Sequence, residues 1–131
     1  MTFNFSFSVR ILFAALASAL LLAMTVQAHE SHGKPQYGGV VAEAGSFQAE
    51  LVLKQNTVTI YLSEHGQPLS NKGATGKLTV LSAGKTQNVS LSPTASHQLQ
   101  ATLAEPIKNG KFVAQISLLG KSAAAVRFEV K

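Results

Sequence analysis

Cysteine is missing from this 131-residue chain, and so is aspartate. Without cysteine the fold has no disulfide to lean on, and thiolate metal sites and thiol redox chemistry are excluded. Without aspartate, the usual orienting acid of a Ser-His-Asp triad and the common Asp-based calcium loop are also gone. Catalytic signatures are lacking too: there is no G-x-S-x-G elbow, no H-E-x-x-H, no phosphate-binding loop and no G-x-G-x-x-G. His29-Glu30-Ser31-His32 is one residue short of the zincin spacing that sets two histidines one helical turn apart. Glu43, Glu50 and Glu64 have no spacing that pairs two of them on a strand face. An enzyme is therefore not expected.

Basic clusters are scarce as well, although the net charge is +5. Lys34, Lys54, Lys72, Lys77, Lys85, Lys108, Lys111 and Lys121 are scattered singly, with no arginine cluster and no aromatic-interleaved stripe. That pattern describes a solvated surface rather than a nucleic-acid interface.

What the chain does have begins with an export signal. Arg10 supplies a positive n-region, Ile11 to Met24 form an apolar run, and Val26 and Ala28 are the small residues of a cleavage site. The run suits an h-region better than a membrane span of roughly 20 apolar residues; an uncleaved anchor is the competing reading. Cleavage after Ala28 removes 28 of the 131 residues and leaves 103, enough for one core. The expected organisation is a signal peptide over 1–28, a flexible arm over 29–39 and a β domain over 40–131. The arm is polar and rich in Gly and Pro. The expected location is a Gram-negative-like periplasm, with no stable membrane insertion once the signal is cut.

From Val40 onward, short runs of β-branched and apolar residues are punctuated by Gly, Asn and Pro at intervals of about 8–12 residues, the spacing of a sandwich or barrel. Phe47, Ala49, Leu51 and Leu53 share one face of a strand, and Val58, Ile60 and Leu62 share one face of the next. Gln55-Asn56 between them reads as a tight turn. Lys77–Ser82 and Thr86–Leu91 read as a second hairpin around Ala83-Gly84-Lys85, with a long polar connection from Glu64 to Gly76 before it. Asn109-Gly110 is a turn signal. The expected fold is all-β, an Ig-like antiparallel β-sandwich of about seven strands.

The chemistry that remains is imidazole. The chain has four histidines, His29, His32, His65 and His97. Imidazole binds copper, zinc and nickel. If His29 becomes the mature N-terminus, its α-amino group and ring can chelate one ion together. An arm folded back over the Ser63-Glu64-His65-Gly66 loop would let His29, His32 and His65 share that ion, with Glu64 or Glu30 supplying oxygen. Copper(II) is favoured over zinc, nickel or cobalt, because it tops the divalent affinity series and accepts amine and imidazole nitrogens. Imidazoles titrate near about 6.5 in model peptides, so such a site is expected to lose metal in acid. The competing reading is solvated histidines on a surface loop, and His97, at the start of a strand behind Ser96, is read as structural or solvated.

Gly38-Gly39-Val40-Val41-Ala42-Glu43-Ala44, the strand pair, Ser63-Glu64-His65-Gly66-Gln67-Pro68-Leu69 and Gly73-Ala74-Thr75-Gly76-Lys77-Leu78 together carry a resemblance. The chain resembles small exported proteins and N-terminal segments of periplasmic adaptor subunits associated with heavy-metal efflux of the resistance-nodulation-division (RND) type. In those a histidine precedes the two glycines, whereas here Tyr37 stands at that position. Residue by residue, His65 with Glu64 beside it matches the pattern. The resemblance implies a periplasmic metal-binding accessory to heavy-metal resistance, with an efflux adaptor as partner. A metal-free Ig-like module pairing through an edge strand is the alternative.

Overall fold

The computed structural model describes residues 33–131. The segment expected to be a signal peptide and the arm residues His29, Glu30 and His32 lie outside the described residues.

Alternation of apolar and polar side chains writes nine strands: β1 (Val40–Glu43), β2 (Gln48–Lys54), β3 (Thr57–Glu64), β4 (Gln67–Pro68), β5 (Thr75–Ser82), β6 (Lys85–Pro93), β7 (Gln98–Thr102), β8 (Gly110–Ser117) and β9 (Ala124–Val130). All pairings are antiparallel, and there is no helix among the described residues. The hydrogen-bonded order is β1-β2-β3-β7-β6-β5-β8-β9, with β4 added beside β3. The chain therefore passes from the β1-β2-β3 side to β5-β6, returns for β7 beside β3, then crosses again for β8 and β9. This Greek-key path makes an all-β sandwich, as the strand spacing predicts. β6 serves both layers: Gly76 pairs with Leu91 across β5–β6, while Ser92 and Pro93 pair with Gln100 and Leu99 of β7. At the other side β1 lies against β9, so the sheet of the described residues is nearly closed.

The core lies between the layers. Leu51, Val58, Ile60, Leu62 and Leu99 face Leu78, Val80, Phe112, Ala114, Ile116 and Val126, all essentially sealed from solvent. With no disulfide present, this apolar burial carries the stability, at about 25 cal/mol per Å² removed from water.

The predicted β2–β3 hairpin forms with Lys54 opposite Thr57 and Gln55-Asn56 at its tip. Ala83 and Gly84 both take positive φ, 51° and 74°, closing β5 onto β6 as a two-residue type I′ turn. Two expectations need correction. The connection after Glu64 is not a long open loop at its start: His65 (φ 49°) and Gly66 (φ 78°) form a second two-residue turn that folds Gln67–Pro68 back onto Ser63–Glu64. Asn109-Gly110 is not a hairpin tip, because the strand before it, β7, pairs with β3 and β6 rather than with β8. A short dipeptide cannot override that sheet crossing.

Candidate functional site

Glu50 organises the outer face of the β1-β2-β3-β7 layer. Its neighbours Ala49 and Leu51 point into the core, so strand alternation sends Glu50 the other way, toward solvent. It is nevertheless only 6% exposed, because residues 33–39 fold over it. A covered carboxylate needs donors, and the covering backbone supplies them. Gln36 N donates to Oε2, while Tyr37 N and Gly39 N donate to Oε1, each at 2.8 Å. The part of the arm read from composition as flexible is thus, over residues 36–39, tied to the sheet. Gly39 allows the approach: a Cβ there would overlap the Leu51 carbonyl.

Once docked, Tyr37 lies flat on Tyr61, the residue paired with Glu50 across β2–β3. The ring centroids are 3.7 Å apart and the planes 8° from parallel. The Tyr37 hydroxyl meets His97 Nε2 at 3.2 Å, and Ser96 Oγ lies 3.4 Å from Nδ1. His97 also sits near Tyr61, with ring centroids 5.9 Å apart. The loop bearing His97 is pinned from below by Asn71, a buried side chain 8% exposed. Its amide donates to the Ala95 and Gln98 carbonyls, and its backbone N donates to Ser96 O. Leu62 N donates to the His97 carbonyl at 2.8 Å.

These groups border a cavity of about 290 Å³ whose wall includes Gly33, Tyr37, Glu50, Tyr61, Gly66 and His97. Its entrance is framed by three segments distant in sequence: the arm, the β3–β4 turn and the β6–β7 loop.

The predicted site residues fall differently around it. His65 is exposed at the tip of the β3–β4 turn, next to the cavity-lining Gly66. Glu64 turns elsewhere, accepting a 2.8 Å ion-paired hydrogen bond from Lys121 Nζ. That hydrogen bond outweighs the opposing desolvation and, with the Lys121 charge, holds its carboxyl below the usual glutamate range. Glu64 is therefore engaged, and an oxygen ligand role would have to displace Lys121. His29, Glu30 and His32 lie outside the described residues, though Gly33, which follows His32 directly, lines the cavity. Among the described residues, no three His or Glu side chains stand close enough to hold a metal ion. Sequence reasoning passed over Glu50, Tyr61 and His97. The signal available for Glu50 was its outward position between two inward apolar residues, directly opposite an outward tyrosine.

No family model and no curated protein matches the chain. A crystal structure of a DUF4426 family protein from Pseudomonas aeruginosa PAO1 is similar at 14% identity and a TM-score of 0.49. The match covers 72% of this chain and 94% of that one.

Proposed function

We propose that this chain is a periplasmic binding protein for a divalent transition metal, copper(II) in preference to zinc, nickel or cobalt, serving heavy-metal efflux. The observation that carries the reading is the composition of the cavity rim. Gly33 and Gly66, which follow His32 and His65 directly in the sequence, both line the cavity. Imidazole and a terminal amine make a nitrogen donor set of the kind copper(II) accepts. The β3–β4 turn adds support. Its first position takes φ 49°, which asparagine or glycine fills with least strain, and the sequence places His65 there with its side chain outside the core. The ligands on this reading are His29, His32 and His65, with Glu64 held by Lys121 until displaced. The likeness to efflux-associated proteins supports an RND-type adaptor as the partner that receives the ion.

Calorimetric titration with Cu²⁺, Zn²⁺, Ni²⁺ and Co²⁺ tests the reading on chain beginning at His29 and on chain carrying one extra residue before it. Submicromolar copper binding, weakened by the extra residue and by His32→Ala or His65→Ala, is expected. Affinity no better than micromolar for all four metals overturns it.

A further inference from the structure

The stacked tyrosines are set up for a reaction that needs no metal ligand from the arm. We propose that Tyr37 and Tyr61 form an oxidative cross-linking site. There an outer-sphere one-electron oxidant, supplied from outside, joins the two rings into a dityrosine that ties residues 33–39 covalently to β3.

Composition says where an oxidant acts. Cysteine and tryptophan are absent from the chain, and both methionines, Met1 and Met24, precede residue 33. Across residues 33–131 the two tyrosines are therefore the most readily oxidised side chains, and they are in contact. Tyr37 is 42% exposed, so an oxidant reaches its ring, while Tyr61 beneath it is half-buried. Centroids 3.7 Å apart in planes 8° from parallel make a face-to-face sandwich, which two neutral rings favour less than an offset or edge-on contact. Removing an electron from either ring turns that repulsion into attraction, because the hole spreads over both. The proton also has a place to go. Ser96 Oγ offers an acceptor for Nδ1–H of His97, which leaves Nε2 to accept from the Tyr37 hydroxyl at 3.2 Å. The phenol is the stronger proton donor of the two hydroxyls, which favours this tautomer. Asn71 pins the backbone around His97, and Glu50 holds the backbone N–H of Tyr37, so base and rings are in place before the oxidant arrives.

Tyr37 gives one electron to the oxidant and its hydroxyl proton to His97 Nε2. Tyr61 gives one electron to a second equivalent of oxidant and its proton to water. The two phenoxyl radicals join through ring carbons ortho to their oxygens, and the hydrogens on those carbons move to the oxygens, restoring both phenols. Two electrons and two protons have left, and one C–C bond has formed. In a chain with no cysteine, this bond does what a disulfide cannot: it fixes the arm to the sheet.

The experiment exposes dilute, metal-free chain beginning at His29 to photo-generated ruthenium(III) tris(bipyridyl), with persulfate as final electron acceptor, both folded and in denaturant. Tryptic cleavage after Lys54 puts the tyrosines on separate peptides, so a linked pair lighter by two hydrogens identifies the bond. Dityrosine emission follows its rate. Expected is a cross-linked monomer, formed at least about tenfold faster folded than in denaturant, where flexible chain brings the rings together only at about millimolar effective concentration. H97A, shown to fold by thermal melting, should couple at least about threefold more slowly and recover with free imidazole. Coupling only between chains, or equally fast in denaturant, overturns the inference. H97A matching wild type overturns the proton transfer to His97.

Discussion

Replacing Glu50 with glutamine keeps the shape of the side chain but changes what it can accept. In the wild type, Oε1 takes the amide protons of Tyr37 and Gly39, and Oε2 takes that of Gln36. In E50Q only one of those atoms is still an oxygen. With the oxygen at the Oε1 position, two bonds survive without charge assistance and the new NH₂ group faces the Gln36 N–H, donor against donor. Bonds to charged acceptors contribute about 1.5–3 kcal/mol and neutral ones about 0.5–1.5 kcal/mol, so a fully docked arm would lose about 3–5 kcal/mol. The protein avoids part of that loss by letting the arm open, because residues 33–39 cover an outer face and not the core. The expected reading is thus local: opening becomes easier by about 2–3 kcal/mol, which makes exchange of the Gln36, Tyr37 and Gly39 amides roughly 30- to 150-fold faster. Amides of Ile60 and Leu78, on strands through the middle of the sandwich, should change much less. Native-state hydrogen exchange measures both sets in one experiment. Protection at the three arm amides within fivefold of wild type would refute the claim that Glu50 holds the arm. If the arm delivers His29 and His32 to the rim, E50Q should also weaken copper binding by about tenfold, through loss of effective concentration.

Asn71→Ala removes both side-chain donors to the His97 loop, leaving the Ala95 and Gln98 carbonyls short of a partner. Chemical denaturation should show a loss of about 2–3 kcal/mol. The Ala83 turn is strained by its positive φ, so Ala83→Asn, making the Asn-Gly pair that type I′ turns favour, should raise stability by about 0.5–1 kcal/mol in the same assay. The Glu64–Lys121 pair predicts a pH dependence with a definite sign. Because the folded-state carboxyl titrates below its unfolded value, the pair stabilises the fold above the usual glutamate range and ceases to do so as pH falls through the lowered folded value. The gap in denaturation midpoint between wild type and Lys121→Met should therefore be small at pH 7 and close once the pH has fallen below the lowered folded value. A gap that does not change with pH would contradict the pairing.

Whatever follows from period and from neighbouring residues was legible in the chain before it folded. Phe47 to Leu53 and Val58 to Leu62 could only bury one face each, and Gln55-Asn56 could only turn between them. Ala83-Gly84 likewise closed its hairpin, because side-chain alternation and turn geometry are local properties of the chain. The all-β sandwich followed from the repetition of such units. Local signals failed where a distant segment decided the outcome. Asn109-Gly110 carries hairpin chemistry, but the sheet crossing between β7 and β8 denies it a partner strand. His65-Gly66 lacks the commonest hairpin pair, yet Leu69 N bonding back to Leu62 O helps draw the chain into a tight turn there.

The site belongs almost wholly to tertiary structure. Glu50 is legible as an outward residue, but its burial requires an arm 11 to 14 positions earlier in the chain to fold across it. His97 looks like a solvated strand-leading residue until Tyr37, 60 positions away, is laid on Tyr61 and reaches it. Periodicity says which way a side chain points from its strand. What comes to cover that side chain depends on where the rest of the chain goes, and that is decided when a carboxylate with no water left around it finds three backbone N–H groups to replace the water.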